Sequence, residues 1–109
     1  MTPTRDPVFE VGPRLAMGAL LQGAVWADFA TVRDAVGAGD SVISKHARSL
    51  EDAGYLEVSK GAVGRRPRTW FRLTDAGRTA LESHLAWLTS LSDALRAPTG
   101  APPPASSDR

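Results

Sequence analysis

The chain has 109 residues, room for one domain with a modest core, and its 13 lysines and arginines against 12 acids leave a net charge of only +1. Charge as a whole therefore points to no particular partner, and a site for a polyanion has to show itself as a local patch. The absence of cysteine excludes disulfides, thiolate catalysis and cysteine-ligated zinc or iron–sulfur sites, which fits a cytoplasmic protein.

The chain opens on Met1-Thr2-Pro3-Thr4-Arg5-Asp6-Pro7, too polar for a signal peptide, and no apolar run has the length of a membrane span. Prolines up to Pro13 oppose continuous helix, so residues 1–12 are expected to be a flexible segment. Pro13 is well placed to open a helix reaching about Gln22, with Leu15, Met17, Leu20 and Leu21 mostly buried. An extended connector, Ala24-Val25-Trp26-Ala27, follows. Asp28 can then cap a second helix whose Phe29, Val32 and Val36 fall at helical spacing, and Gly37-Ala38-Gly39 stops it. Asp40 offers another cap, for a third helix to about residue 53 in which Ile43, Ala47, Leu50 and Ala53 form one apolar stripe. Gly54 closes that helix.

From Tyr55 the period changes to two. Tyr55 to Lys60 and Thr69 to Leu73 read as the strands of a hairpin with a long Gly/Pro-containing tip. Thr74 can cap a last helix running from Asp75 to about Arg96. The remainder, 97–109, is a Pro/Ala/Ser tail with no large apolar residue to offset its ordering entropy, and disorder is expected there. The fold class is thus mainly α with a small β-hairpin, an α+β domain spanning 13–96.

Two short helices around a glycine turn, the second with one buried stripe, have the form of a helix-turn-helix. The free face of the second carries Ser41, Val42, Ser44, Lys45, Arg48 and Ser49, with His46 at its margin. Hydroxyls and cations of this kind suit phosphate oxygens and base edges, and a small apolar side chain can meet a thymine methyl. A solvated polar helix face would look similar, but the hairpin adds Lys60, Arg65, Arg66 and Arg68 with no acid from Lys60 to Arg68. A wing over the DNA backbone, or in the minor groove with its concentrated negative potential, explains that cluster more simply than solubility does.

These residues resemble the winged helix-turn-helix domain of small bacterial transcription regulators in the broad MarR-like group. The resemblance covers Arg14 to Leu88. Its carriers are the run from Ile43 to Leu56, then Gly64-Arg65-Arg66-Pro67-Arg68-Thr69, then Leu73-Thr74-Asp75-Ala76-Gly77-Arg78. It implies a recognition helix at about 40–53 in the major groove, a wing at about 57–73 that includes Thr69, and a homodimer that regulates transcription, expected here to be a repressor. On the last helix, Leu81, Leu88 and Leu95 repeat every seven residues, with Leu85 and Leu91 widening the stripe. That face is expected to form the dimer interface, although some of these leucines should pack within the subunit. The preferred double-stranded operator is then an inverted repeat.

Other chemistries are set aside. His46 and His84, the only histidines, lie on different helices without a dense cluster of ligands, so no metal or other cofactor is expected. Trp26, Trp70 and Trp87 could line a cavity for a small-molecule effector, but tryptophans in a small domain belong first to core or interface. Gly37 to Ser41 lacks the final glycine of a nucleophile elbow, Gly61 to Arg65 lacks the Lys-Ser/Thr of a phosphate loop, and no acid/base pair points to an enzyme. The competing reading is a winged helix used for protein docking without DNA.

Overall fold

The apolar stripes of four helices converge on one side of a small sheet in the computed structural model, which describes residues 2–96. The helices are α1 (Gly12–Gln22), α2 (Phe29–Val36), α3 (Asp40–Asp52) and α4 (Asp75–Ala94). The strands are β1 (Ala27–Asp28), β2 (Leu56–Val63) and β3 (Arg66–Leu73), antiparallel in the order β1-β3-β2. This is a winged helix, and its fold class is the one read from the sequence. The tail expected to be disordered, 97–109, lies outside the described residues.

The core is built from one face of each element: Met17 and Leu21 of α1, Val32 of α2, Ile43, Ala47 and Leu50 of α3, Leu56 of β2, Phe71 and Leu73 of β3, and Leu81 of α4. Its expected boundaries hold with small shifts. Gly39 rather than Asp40 occupies the N-cap of α3, and Gly54 closes that helix with φ +81. Thr74 caps α4 as expected, its hydroxyl accepting from the Gly77 N–H at 3.0 Å.

Three features differ from the sequence expectations. The first concerns residues 2–12, which do not hang free. Pro7–Glu10 forms a 3₁₀ turn, Phe9 is fully buried against Gly18, and the Thr4 and Asp6 N–H groups donate to Ser83 Oγ (2.8 Å) and His84 Nδ1 (2.9 Å) on α4. One aromatic ring in the core anchors what the prolines alone make extended. Second, the hairpin has no long tip, because pairing continues to Val63↔Arg66 and leaves only Gly64-Arg65 as the turn. Gly64 has φ +64 at the first turn position, where a positive φ lets a two-residue turn follow the strand twist. Third, the connector before α2 supplies a short third strand, with Ala27 opposite Phe71 and Asp28 opposite Trp70. Among the described residues no helix is long and apolar enough to cross a membrane.

Candidate nucleic-acid interface

Residues of α2, its turn and α3 fix the angle between the two helices. Gly37 ends α2 in the left-handed region, φ +77, its N–H bonding Arg33 O. The Arg33 guanidinium then spans the turn, pairing with Asp34 (3.0 Å) on its own helix and Asp40 (3.1 Å) at the start of α3. Both carboxylates hold the Arg33 pKa above its ordinary value, Asp34 first. Asp40 is therefore neutralised in place at the positive end of the helix instead of opposing an anion.

Ile43, His46, Ala47 and Leu50 are buried on α3, while Ser41, Val42, Ser44, Lys45 and Arg48 are exposed. Ser49 is half-buried and its hydroxyl donates to Lys45 O at 3.3 Å within the helix. His46 does not join the exposed face to which the sequence assigned it. It is 8% exposed, and its Nδ1 accepts from Arg14 Nε at 3.2 Å. Burial, with Arg14 and then Lys45 nearby, lowers its pKa, so it serves as a neutral packing residue.

Strand alternation divides the wing between two faces. Lys60 lies opposite Thr69, on the face whose inner residues, Val58 and Phe71, meet α3. Between this face and α3 runs an open groove of about 240 Å³, lined by Ser44, Arg48, Lys60 and Thr69, with Phe71 in its floor and Glu51 as its one acid. Arg65 occupies the turn. Arg66, Arg68, Trp70 and Arg72 point to the opposite face by the same alternation. There Arg72 pairs with Glu57 and stands 4.6 Å over the Trp26 ring, while Arg68 stands 5.8 Å over Trp70, its Nη1 3.9 Å from Asp28. Trp26 and Trp70 thus border an open surface with Ser59 and form no enclosed cavity.

One pattern emerges from the cations. Arg5, Arg33, Arg68, Arg72 and Arg96 are in ion pairs, and Arg14 and Arg78 donate to His46 and to Gln22 O. Among the described residues, the cations with neither an ion pair nor a side-chain hydrogen bond are Lys45, Arg48, Lys60, Arg65 and Arg66, all on α3 or the wing. Sequence reasoning found these five. It placed Asp28 at the start of α2 but did not find the pairings of Arg33, Arg14 and Asp28 with neighbouring elements, whose partners lie at no regular spacing.

The leucines of α4 also divide. Leu81 is wholly buried in its own subunit against Gly18 and Phe9, so it is not available to a partner. Leu85 is half-buried against the same core, whereas Leu88, Leu91 and Leu95 are 39%, 51% and 84% exposed. The helix outgrows the domain it packs on.

The model of the winged helix DNA-binding domain matches residues 14–92. An uncharacterized protein of Methanocaldococcus jannaschii is 26% identical over 85 residues, which are 78% of this chain and 92% of that one. Among solved structures, a transcriptional regulator homologue from Pyrococcus horikoshii is similar with a TM-score of 0.75 at 25% identity, over 82% of this chain and 88% of the other. The PcaV transcriptional regulator of Streptomyces coelicolor, solved with its natural ligand, has a TM-score of 0.67 at 26% identity, over 84% of this chain and 64% of its own. A MarR-family regulator from Silicibacter pomeroyi shares the fold, with a TM-score of 0.63 at 18% identity, over 88% of this chain and 62% of its own. These sources are archaeal as well as bacterial, so the likeness does not restrict the chain to bacteria. The chain belongs to the family of winged helix DNA-binding domains.

Proposed function

We propose that the protein is a homodimeric repressor that binds an inverted-repeat operator, with α3 in the major groove and the wing on the flanking backbone and minor groove. The observation that carries this reading is the placement of the five cations that are unpaired among the described residues: every one lies on the two elements that a winged helix turns toward DNA. Lys45, Arg48, Ser41, Ser44 and the Val42 methyls are offered to base edges and phosphates, Ser49 supports them from the helix flank, and Lys60, Thr69, Arg65 and Arg66 extend the contact along the wing. The paired arginines already have a carboxylate beside them, whereas these five gain a partner when a polyanion arrives.

Dimerisation uses the outer half of α4, where Leu88, Leu91 and Leu95 stand on one face. A twofold then sets two recognition helices about 34 Å apart, one turn of the duplex. Repression follows from occupancy, since a domain filling both grooves excludes other proteins from the same site.

The test is a fluorescence-anisotropy titration of a duplex from the gene's own promoter beside a scrambled duplex, at two salt concentrations, with mass by light scattering. Salt-sensitive preference for the promoter by a species of twice the chain mass is expected. Absence of binding to either duplex at low salt would overturn the reading in favour of protein docking.

A further inference from the structure

The base of the wing packs on α2 and α3 through Val58 and Phe71, and one short strand pairs with its edge. Strand β1 pairs with only two residues of β3, Trp70 and Phe71, and beyond Trp70 the hairpin has no third strand beside it. A projecting two-stranded ribbon is marginally ordered by itself, so its direction depends on what holds its base. Asp28 is the last residue of β1 and the residue just before α2, the first helix of the helix-turn-helix. It occupies the N-cap of α2, yet its side chain makes no cap hydrogen bond to the helix backbone. The carboxylate instead accepts from the Thr31 hydroxyl and reaches toward the Arg68 Nη1 at 3.9 Å. The bond from Thr31, opposed by desolvation and assisted by the Arg68 charge, holds this carboxyl below its ordinary pKa, so it is an anion at neutral pH. Arg68 lies two residues nearer the tip than Trp70 and rests over the Trp70 ring. The contact thus joins the start of α2 to the part of the hairpin beyond its pairing with β1.

We propose that Asp28 is a positioning residue for DNA binding: through Arg68 it clasps the wing to the start of α2 and fixes the wing's angle to the recognition helix. Arg68, in this assignment, serves the clasp and does not itself hold a phosphate. The division of labour fits the pairing of the wing cations, since Arg68 is held by Asp28 and Trp70 whereas Arg65 and Arg66 have no such partner. The inference rests on the DNA-binding reading above, and it makes a prediction opposite in sign to simple electrostatics. Removing an acid near DNA ordinarily tightens binding. Removing Asp28 should weaken it.

The experiment measures operator affinity and its salt dependence for the full chain and for Asp28→Asn, Arg68→Gln, the double variant and Arg66→Ala. Asparagine keeps the acceptor for Thr31 and a good capping side chain, so the fold is retained. Asp28→Asn and Arg68→Gln are each expected to weaken binding by about threefold to tenfold, the size of coupling between neighbouring side chains, with the double variant no worse than either single one. The slope of log affinity against log salt should be unchanged in both, while Arg66→Ala should lower it by about 0.9, the loss of one phosphate contact. Tighter binding by Asp28→Asn, or a slope lowered in Arg68→Gln, would overturn the clasp. If instead Arg66→Ala leaves affinity and slope unaltered, the wing's contact with DNA fails and not the clasp alone. Hydrogen exchange without DNA gives a second, independent reading. Amides from Gly61 to Arg68 should exchange faster in Asp28→Asn while those of α3 do not, and unchanged exchange in the wing would equally sink the proposal.

Discussion

The Tyr55 hydroxyl donates a 2.6 Å hydrogen bond to Asp6 Oδ2, tying the junction of α3 and β2 to the segment that lies across α4. Asp6 is fully engaged there. Its other carboxylate oxygen accepts from the Val8 N–H at 2.9 Å, and its own N–H donates to His84. The Tyr55 ring stacks on Phe9 with centroids 5.5 Å apart. The carboxylate bond, partial burial and the Asp6 charge push the phenol up to about 12. Because Tyr55 is the only tyrosine, phenolate absorbance reports this group alone. The expected midpoint of alkaline titration is about 12 in the intact protein and falls back toward the ordinary 10 in Asp6→Asn. The sign of the linkage follows: a raised folded pKa contributes stability that is fully present below the unfolded value near 10 and is lost as pH rises through about 12. A titration at the ordinary value in the unaltered protein would show that the tether is absent in solution.

Packing beside that tether predicts a sharper loss. A Cβ built on Gly77 would stand 2.2 Å from the Tyr55 carbonyl oxygen and 2.9 Å from its carbonyl carbon, both backbone atoms that cannot rotate away. The first turn of α4 is held at this distance by Thr74, whose N–H donates to Tyr55 O at 3.0 Å and whose hydroxyl donates to Gly54 O at 2.6 Å. Gly77→Ala must therefore push the whole helix outward. We expect it to cost about 3 kcal/mol or more in denaturant unfolding. Gly12→Ala, where a Cβ meets nothing within 4 Å, should be tolerated, and equal losses in the two would mean that close approach is not the reason for Gly77.

His46 supplies a prediction on the acid side. Its Nδ1 is occupied by Arg14 as an acceptor, and burial followed by the Arg14 and Lys45 charges lowers its pKa from the ordinary 6.5. A group whose folded pKa is depressed contributes stability present above its unfolded value and lost as pH falls through its folded one. Stability should accordingly be flat with respect to this residue above about 6.5 and decline below it. Two histidines make the NMR titration simple to assign by substitution. In Arg14→Met, which keeps the stem but removes donor and charge, the His46 midpoint is expected to rise and the acid decline to shrink. An unmoved midpoint would leave burial and the Lys45 charge as the causes.

Much of this architecture was legible in the residues because helical stripes such as Ile43, Ala47 and Leu50 or the alternation through Phe71 and Leu73 report burial directly. The exposed cations of α3 and the wing were legible for the complementary reason, as charges with no apolar periodicity. What escaped were pairings between distant segments. A two-residue strand such as Ala27–Asp28 has no period to detect, and its order comes wholly from β3. Gly61 and Pro67 read as breakers, yet register with Arg68 and Ala62 carries the ladder past them, Pro67 being tolerated at the outer hairpin away from β1. Phe9 had no neighbour in sequence to announce that it was core, and His46, one residue off the apolar stripe, found its partner 32 positions away.

In the proposed dimer, the outer half of α4 is the surface that joins two such domains. From Leu88 to Arg96 every residue is exposed, and Leu88, Leu91 and Leu95 rise on one face beyond the last turn that packs on α1. Burying each leucine against a second copy would contribute about 1.5–3 kcal/mol before association costs, enough together to explain why the helix is this long. A charge in the middle of that face should therefore separate the subunits without touching the core. Leu91→Lys is expected to give the mass of a single chain by light scattering, to keep its helical circular dichroism, and to bind a two-half-site duplex at least about a hundredfold more weakly, because the second contact is no longer intramolecular. Leu81→Lys forms the contrast: Leu81 is wholly buried within the subunit, so that substitution should abolish folding and not merely pairing. A dimer that survives Leu91→Lys would place the twofold elsewhere on the molecule, and the operator spacing would have to be derived again from that new axis.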